Sequence, residues 1–524
     1  MLTTENIENK EVASLFRLLG KNKDKQVNAE KLLDLLAKNG VLSDDPRLQG
    51  LIDKLQTKVD DQIGKVIIDD QQFHDIIKNH ALIKKSLKKE LVIPDFQLLC
   101  KEIKNIFDET IKNKDGNIAD YIPQLARINP EHYAVSICTI DGQRYSLGDF
   151  DKNFCLQSSC KPINYCIALE ELGEEKVHQH IGREPSGQSF NELTLNSKGL
   201  PHNPMINAGA IMSCALIGQD LDIADRFDRV NKTWSQLNGN KPVYFNNAVY
   251  LSERQTADRN FALAYFMREN NAFPETTNLN DILEFYFQCC SIESCTKDLS
   301  VAAATLANAG TNPLTGEAIF NPLTVQNCLS LMLSCGMYDS SGEFAFKIGI
   351  PAKSGVSGAL MVVIPNVMGI SIWSPRLDAN GNTVRGVEFC NKLVEKFSFH
   401  HYDSLTGHSH KLNPRNNHKG NQVAKMVSLI WAASSGDMDE LLRLEAEGVN
   451  LNIADYDGRT PLHLAVSENQ FEVVKYLIEN GVDLSPVDRW GGIPLTDAKK
   501  SGNKKIQNLL EVALKKLDKK ENQN

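Results

Sequence analysis

Ser158 and Lys161, three residues apart in the run FCLQSSCKPINYCIALEELG at 154–173, are the pair in this chain whose types and spacing could do nucleophilic chemistry. A serine hydroxyl is a poor nucleophile at neutral pH until a base takes its proton, and a lysine one helical turn away can be that base if its own pKa is lowered. Desolvation in a cleft and the positive end of a helix dipole both lower it. Ser158 is therefore the candidate nucleophile and Lys161 the candidate base. Spacing alone does not select them, because Ser-x-x-Lys recurs at Ser86/Lys89, Ser294/Lys297 and Ser501/Lys504. Context does: an extended apolar approach through Phe154, Cys155 and Leu156 meets a helix opening, and Lys353-Ser354-Gly355 leads into a strand far downstream.

The elements that must position this pair alternate in kind along the chain. Residues 133–140 read as a strand, Asp141-Gly142 as a tight hairpin turn, and 143–148 as the returning strand. The Ser158 helix ends at Gly173, and a long polar, glycine-containing segment follows at 182–203. Loops of that kind are usually functional, so a lid over the site is expected. Asn207 enters the next helix after Asn-Pro, helical patterns cover 259–269, 280–289, 299–309 and 323–333, and strands return at 359–364 and 368–374. Strands at both ends with helices between predict an α+β domain: an antiparallel sheet capped by a helical subdomain. Ser-x-x-Lys upstream with Lys-Ser-Gly before a late strand marks the serine β-lactamase and penicillin-binding architecture.

A chain of 524 residues is too long for one core. The divisions expected are a helical, EF-hand-like domain over 1–100, a catalytic domain over 101–400, a linker over 401–424, ankyrin repeats over 425–518 and a tail over 519–524. Stripes of Val12, Leu15, Leu18 and Leu19, then Leu32, Leu33, Leu35 and Leu36, support the first. The stretch VDDQIGKVIIDD at 59–70 has the cadence of a calcium loop, but Val59, Ile63 and Lys65 stand at ligand positions and no glutamate closes it. Calcium needs several hard oxygen ligands there, so no metal is expected. The last division rests on a repeat of period 33: Asp457-Gly458-Arg459-Thr460-Pro461-Leu462-His463 matches Trp490-Gly491-Gly492-Ile493-Pro494-Leu495-Thr496, with Ala432, Ala465 and Ala498 in phase. TPLH at that period is the ankyrin signature. The irregularly spaced histidines between 400 and 418 read as a solvated linker and not as metal ligands.

A net charge of −9 argues against nucleic acid or an anionic membrane as partner. Twelve cysteines without a Cys-x-x-Cys pair, several of them in apolar segments, predict reduced thiols. The opening MLTTENIENKEVASLF has neither signal-peptide nor transit-peptide character, and the apolar stretch 354–373 is broken by Pro365, Asn366 and glycines. A cytoplasmic location is the expectation, with mitochondria less favoured.

The motifs DYIPQLARINP, LQSSCKP, HNPMINAGAI, SERQTADRNFA, FYFQCCSIE, LSCGMYDSSGEFAF and PAKSGVSG resemble the eukaryotic, kidney/liver-type phosphate-activated glutaminases, over nearly the whole chain. The resemblance implies hydrolysis of L-glutamine to L-glutamate and ammonia through a glutamyl-serine ester. It implies catalytic roles for Ser158, Lys161, Tyr286 and Tyr338, with Tyr338 passing a proton to the departing ammonia. Backbone N–H groups of Ser158 and Val356 would form the oxyanion hole. Tyr121, Gln157, Asn207, Glu253 and Asn260 would hold the amino-acid end of the substrate: Glu253 an anion for its ammonium, and Asn207, Asn260 and Tyr121 neutral donors for its carboxylate. It also implies a homotetramer built from dimers, no cofactor, inorganic phosphate as activator, and a protein partner for the ankyrin repeats. One departure from the kidney-type pattern is Thr194, which follows Leu193 where those members carry an aromatic. Two other readings compete. A penicillin-recognising hydrolase lacks its Ser-Asp-Asn triplet here, and an inactive ankyrin scaffold is opposed by the presence of all four catalytic residue types.

Overall fold

Leucine spacing carries the N-terminal part into helices: α1 (Ala29–Lys38) buries Leu32 and Leu36 on one face. It is followed by α2 (Gln49–Gln56), α3 (Asp70–Asn79) and α4 (Ala81–Leu87). Strands β1 (Val27–Asn28) and β2 (Ile67–Ile68) pair antiparallel, each just ahead of a helix, as the two loops of an EF-hand pair do. Asp69 and Gln72 close a reciprocal capping box at the start of α3. The computed structural model describes residues 12, 15–16, 27–56, 67–189, 191–406, 410–415, 422–446 and 449–521, so positions 59–66 of the calcium-like stretch 59–70 lie outside the described residues. The chain divides into two units, one of residues 38–49 and 95–415, the other of residues 1–37, 50–94 and 416–524.

The larger unit runs through α5 (Phe96–Thr110), β3 (Ala134–Thr139), β4 (Arg144–Gly148) and β5 (Phe154–Cys155) into α6 (Lys161–Leu172) and α7 (Asn207–Leu216). There follow α8 (Ile223–Leu237), β6 (Tyr244–Phe245), α9 (Asn247–Gln255), α10 (Asp258–Glu269), α11 (Leu279–Cys290) and β7 (Ile292–Ser294). It closes with α12 (Thr296–Ala307), α13 (Pro322–Cys335), β8 (Ala352–Ser354), β9 (Ala359–Ile364), β10 (Met368–Trp373) and α14 (Val384–Lys396).

Its five-stranded antiparallel sheet has the order β4-β3-β10-β9-β8, so the last strand of the domain pairs with the first, Ile370 standing opposite both Ile137 and Val362. The three central strands are buried along their whole length, which is why their sequences show no apolar/polar alternation and admit only the small hydroxyl residues Ser136, Thr139 and Ser371 among apolar ones. Helix α12 lies across β3, β9 and β10. It can come this close only because position 369 is glycine: a Cβ there would sit 2.2 Å from the Ala304 backbone nitrogen. Gly386 of α14 packs beside Leu360, on the opposite face from Val363, the cross-strand partner of Gly369, so α14 covers the other side.

Helices α6 and α7 form the centre of the helical subdomain. Lys161 through Leu169 and Asn207 through Leu216 are buried without exception, so neither helix has a solvent stripe. Helices α11 and α13 pack against them. A second sheet, β5-β7-β6, fixes the approach to Ser158. The first part of the expected linker is tied down: Phe397 bridges to Leu412, and the His401 N–H donates to the Gly349 carbonyl at 3.2 Å.

Beyond it, α15 (Gln422–Ser435) with α16 (Met438–Ala446), α17 (Pro461–Ser467) with α18 (Phe471–Glu479), and α19 (Pro494–Ser501) with α20 (Lys504–Glu521) stack as ankyrin pairs. The in-phase Ala432, Ala465 and Ala498 are fully buried where the first helices of successive pairs touch. Among the described residues no helix is long and apolar enough to cross a membrane.

Candidate active site

Ser158 sits one step earlier than a simple helix opening would put it. Residues Gln157–Cys160 form a 3-10 turn, and α6 proper begins at Lys161. Gln157 holds a left-handed φ of 49°, a strained conformation for a side-chain-bearing residue, and Tyr338 does the same at φ 51°. Such residues persist only where their surroundings over-determine them, and they cluster at active sites.

Lys161 is fully buried and donates to Asn207 Oδ1 at 2.7 Å. The Tyr286 phenol donates to the same oxygen at 3.4 Å, and Asn207 Nδ2 donates to Asn260 Oδ1 at 3.0 Å. With its own oxygen thus occupied, Asn260 has its amide N–H groups left to offer. Burial lowers the Lys161 pKa from 10.5 to about 8, against a partial upward pull from the Glu253 carboxylate and neighbouring thiols. A drop of that size is on the order of 3 kcal/mol in favour of the neutral amine, the form a base must have. The desolvation expected from the sequence is therefore present.

On the other side of Ser158, Gln157 Nε2 donates to Glu253 Oε2 at 3.0 Å. Burial raises the Glu253 pKa to about 7, offset in part by that hydrogen bond and by Lys161. A buried carboxylate whose partners are one amide and a nearby amine is prepared for a cation. Tyr121 is 53 % exposed, yet its pKa is pushed up by burial first and then by the charge of Glu253. Tyr121 is thus half exposed and close enough to Glu253 to feel its charge.

The Tyr338 phenol lies close to Ser158, whose hydroxyl opposes the upward push of burial on its pKa. Behind that ring lies a residue whose part the sequence did not reveal. Lys353 is fully buried, with Nζ 4.4 Å from the Tyr338 ring centroid, donating to the carbonyls of Gly336 at 3.1 Å and Ser354 at 2.7 Å. No carboxylate pairs with it among the described residues. Burial, then the charge of Lys161, drives its pKa well below the ordinary value. The signal was on the page as Lys-Ser-Gly; the direction in which its amine points was not.

The turn after β8 brings Val356 beside Ser158. A Cβ on Gly355 would lie 2.8 Å from the Leu156 carbonyl oxygen and 3.6 Å from the Ser158 nitrogen, so glycine is what lets the turn approach. All ten residues singled out from the sequence thus fall in one region of the larger unit. Lys161, Asn207, Asn260 and Tyr286 are linked by hydrogen bonds in one group and Gln157 and Glu253 in a second, Ser158 lies beside Tyr338, Val356 is buried in the turn after β8, and Tyr121 is half exposed. The segment 182–203 carries no helix or strand among its described residues; with α13 and Tyr338 it walls a cavity of about 480 Å³. Among the described residues no cluster of His, Cys, Asp and Glu could hold a metal ion. All twelve cysteines are free, and all but Cys100 are buried.

Residues 116–402 match the glutaminase family, residues 12–94 an EF-hand domain and residues 411–521 ankyrin repeats in three copies. The chain is 43% identical over 502 residues to the liver isoform of mitochondrial glutaminase from Mus musculus, spanning 95% of this chain and 83% of that protein. It is 41% identical over 308 residues to a glutaminase of Nostoc sp., spanning 59% of this chain and 91% of that one. Among solved structures, Mglu in its tris and glutamate form superposes with a TM-score of 0.55 at 36% identity, covering 58% of this chain and 67% of that one.

Proposed function

The chain belongs to the glutaminase family and hydrolyses L-glutamine to L-glutamate and ammonia, and from that premise we propose that it does so through a glutamyl ester on Ser158, with Lys161 as base. The observation that carries this reading is the fully buried Lys161, its ammonium disfavoured and its Nζ held at 2.7 Å from Asn207 Oδ1, one turn from the serine. Neutral Lys161 takes the Ser158 proton as Oγ bonds to the side-chain carbonyl carbon. The oxyanion is met by the N–H groups of Ser158 and Val356, donors of a kind worth about 3 kcal/mol each in the transition state. As the carbon–nitrogen bond breaks, Tyr338, in contact with Ser158, delivers a proton to the leaving nitrogen and ammonia departs. The proton held by Lys161 passes to the Tyr338 phenolate, restoring both groups; water then attacks the ester, giving its proton to neutral Lys161, which returns it to Ser158 Oγ as glutamate is released.

Glu253 binds the substrate ammonium. Asn207, Asn260 and Tyr121 bind the carboxylate, Gln157 orients Glu253, and Tyr286 fixes Asn207. The presence of glutamate in the solved Mglu neighbour supports a pocket of this chemistry. Ammonia release from glutamine, with mass detection of a glutamyl adduct on acid quench, tests the reading. Ser158→Ala and Lys161→Ala are each expected to lose nearly all turnover, and the double variant to be no slower than either, because both serve one step. An adduct that survives Ser158→Ala would sink it.

The reading extends to a homotetramer of dimers activated by inorganic phosphate, without a cofactor, and to a protein partner on the ankyrin repeats. The free thiols suit a reducing compartment, and we assign the cytoplasm ahead of the mitochondrial matrix. Cell fractionation with an antibody to the chain decides between the two.

A further inference from the structure

Trp373 ends β10, outside every group of residues that touches substrate in the mechanism above, yet it reaches both arms of the site. Its indole N–H donates to the Ser357 carbonyl at 3.0 Å, on the turn that carries Val356. Its ring stacks on Phe154, centroids 5.2 Å apart and planes 21° apart, at the start of the strand that leads to Ser158. It also stacks on His132 at 5.3 Å and 22°, and His132 is itself held through Nδ1 by Asp149 at 2.9 Å. The indole is 1% exposed, fixed at its root by the pairing of Trp373 with Ala134 and Ala359.

The turn it holds is otherwise anchored only at its two ends, through Gly355 and Gly358. Gly358 N–H closes on the Gly355 carbonyl at 2.9 Å, and Ser374 N–H donates to the Gly358 carbonyl at 3.0 Å. The first of these lies within the turn; the Ser374 bond, a Gly355 N–H donated to the Ala359 carbonyl at 2.8 Å and the indole are what tie 355–358 to the sheet, and the indole alone reaches Ser357. On the other arm, β5 is only Phe154–Cys155, paired with β7. A two-residue strand has little stiffness of its own, so a large rigid ring against Phe154 adds what the hydrogen bonds do not.

We infer that Trp373 is a positioning residue for the oxyanion hole: one indole sets the separation of the Ser158 and Val356 N–H groups by gripping the Val356 turn through its N–H and the Ser158 strand through its face. The inference rests on the reading of those two N–H groups as the oxyanion donors. Oxyanion donors act only as charge develops, so a hole displaced by a few tenths of an ångström loses rate without losing substrate.

The test uses the full chain. Trp373→Phe keeps an aromatic ring against Phe154 and removes the donor; benzothienylalanine at position 373 keeps the full bicyclic shape and also removes it. Both are expected to lower kcat and kcat/KM together, by about tenfold, with KM and calorimetric glutamate affinity unchanged and circular dichroism at assay temperature equal to that of the parent. A tryptophan that merely fills the core would instead lower thermal stability and leave kcat per folded site intact; that result in the bicyclic variant overturns the inference even if Trp373→Phe fails to fold. Val356→Pro, which deletes the second donor, separates the two levels. If it stays active while binding glutamate, the oxyanion reading falls and this inference with it. If it is inactive with glutamate binding intact while both Trp373 variants keep parental kcat, the hole stands and the role of Trp373 falls alone.

Discussion

The two titrating groups at the substrate have opposite charges and the same demand: each must lose its proton to work. In the proposed mechanism Lys161, lowered to about 8 by burial, acts as base only when neutral, and Glu253, raised to about 7 by burial, holds an ammonium only when ionised. Raising pH through both values therefore raises activity. The profile of kcat/KM, which reports the free enzyme, is expected to climb with a slope near two below about pH 7, near one up to about pH 8, and to flatten above it. In the complex the bound ammonium keeps Glu253 ionised, so kcat should retain the Lys161 limb alone. Ammonia release across the series at fixed ionic strength checks this, and a flat kcat from about pH 6 to about pH 9 would remove Lys161 as base. At this scale the sequence spoke through types and spacing for Ser158 and Lys161, because a one-turn separation is a local fact. The link from Lys161 to Asn207, and the amine of Lys353 against Tyr338, join segments far apart in the chain; no local pattern encodes them. Asn207 was reached through motif resemblance, not through its chemistry, since an asparagine at a helix entry reads equally well as a cap.

Turn and strand together decide whether those residues meet. The Gly355 turn has room for hydrogen and nothing larger: a methyl group would meet the Leu156 carbonyl at 2.8 Å, a backbone atom that cannot swing away. Gly355→Ala should thus separate the Val356 turn from Ser158 and lower kcat by about a hundredfold, the scale of an ångström of misplacement, while far-ultraviolet circular dichroism stays that of the parent. Wild-type kcat in the folded variant would show that the turn tolerates displacement. The elements themselves were legible where they are long and regular. The strands expected at 359–364 and 368–374 appear as β9 and β10, and the helices expected at 259–269, 280–289, 299–309 and 323–333 appear with shifted ends. What the pattern could not show were β6 and β7, too short for any alternation, and the all-round burial of α6 and α7, which erases the polar stripe that marks most helices.

Over the whole molecule the strand-helix-strand order foretold the α+β core, and the repeat of 33 foretold the ankyrin pairs, because both are written in periodicity. Assembly is not written there, since an interface is half a pattern. The phosphate reading makes it measurable: phosphate that binds the active, tetrameric state should raise ammonia release and sedimentation coefficient in parallel, in proportion to its preference for that state. Activity that rises across a phosphate series at constant ionic strength with no change in mass distribution would place the effect within one subunit. The order of the sheet has one more consequence, for the chain as it is made. Strand β3 must wait for β10 before it has a neighbour on its inner edge, and β10 is translated almost last in its domain. Early-made apolar strands without partners are exposed to misassociation, and long-range pairing is slow. Emergence of β10 from the ribosome is thus the event that covers the inner edge of β3, and a nascent chain stopped short of it leaves that apolar edge open to misassociation.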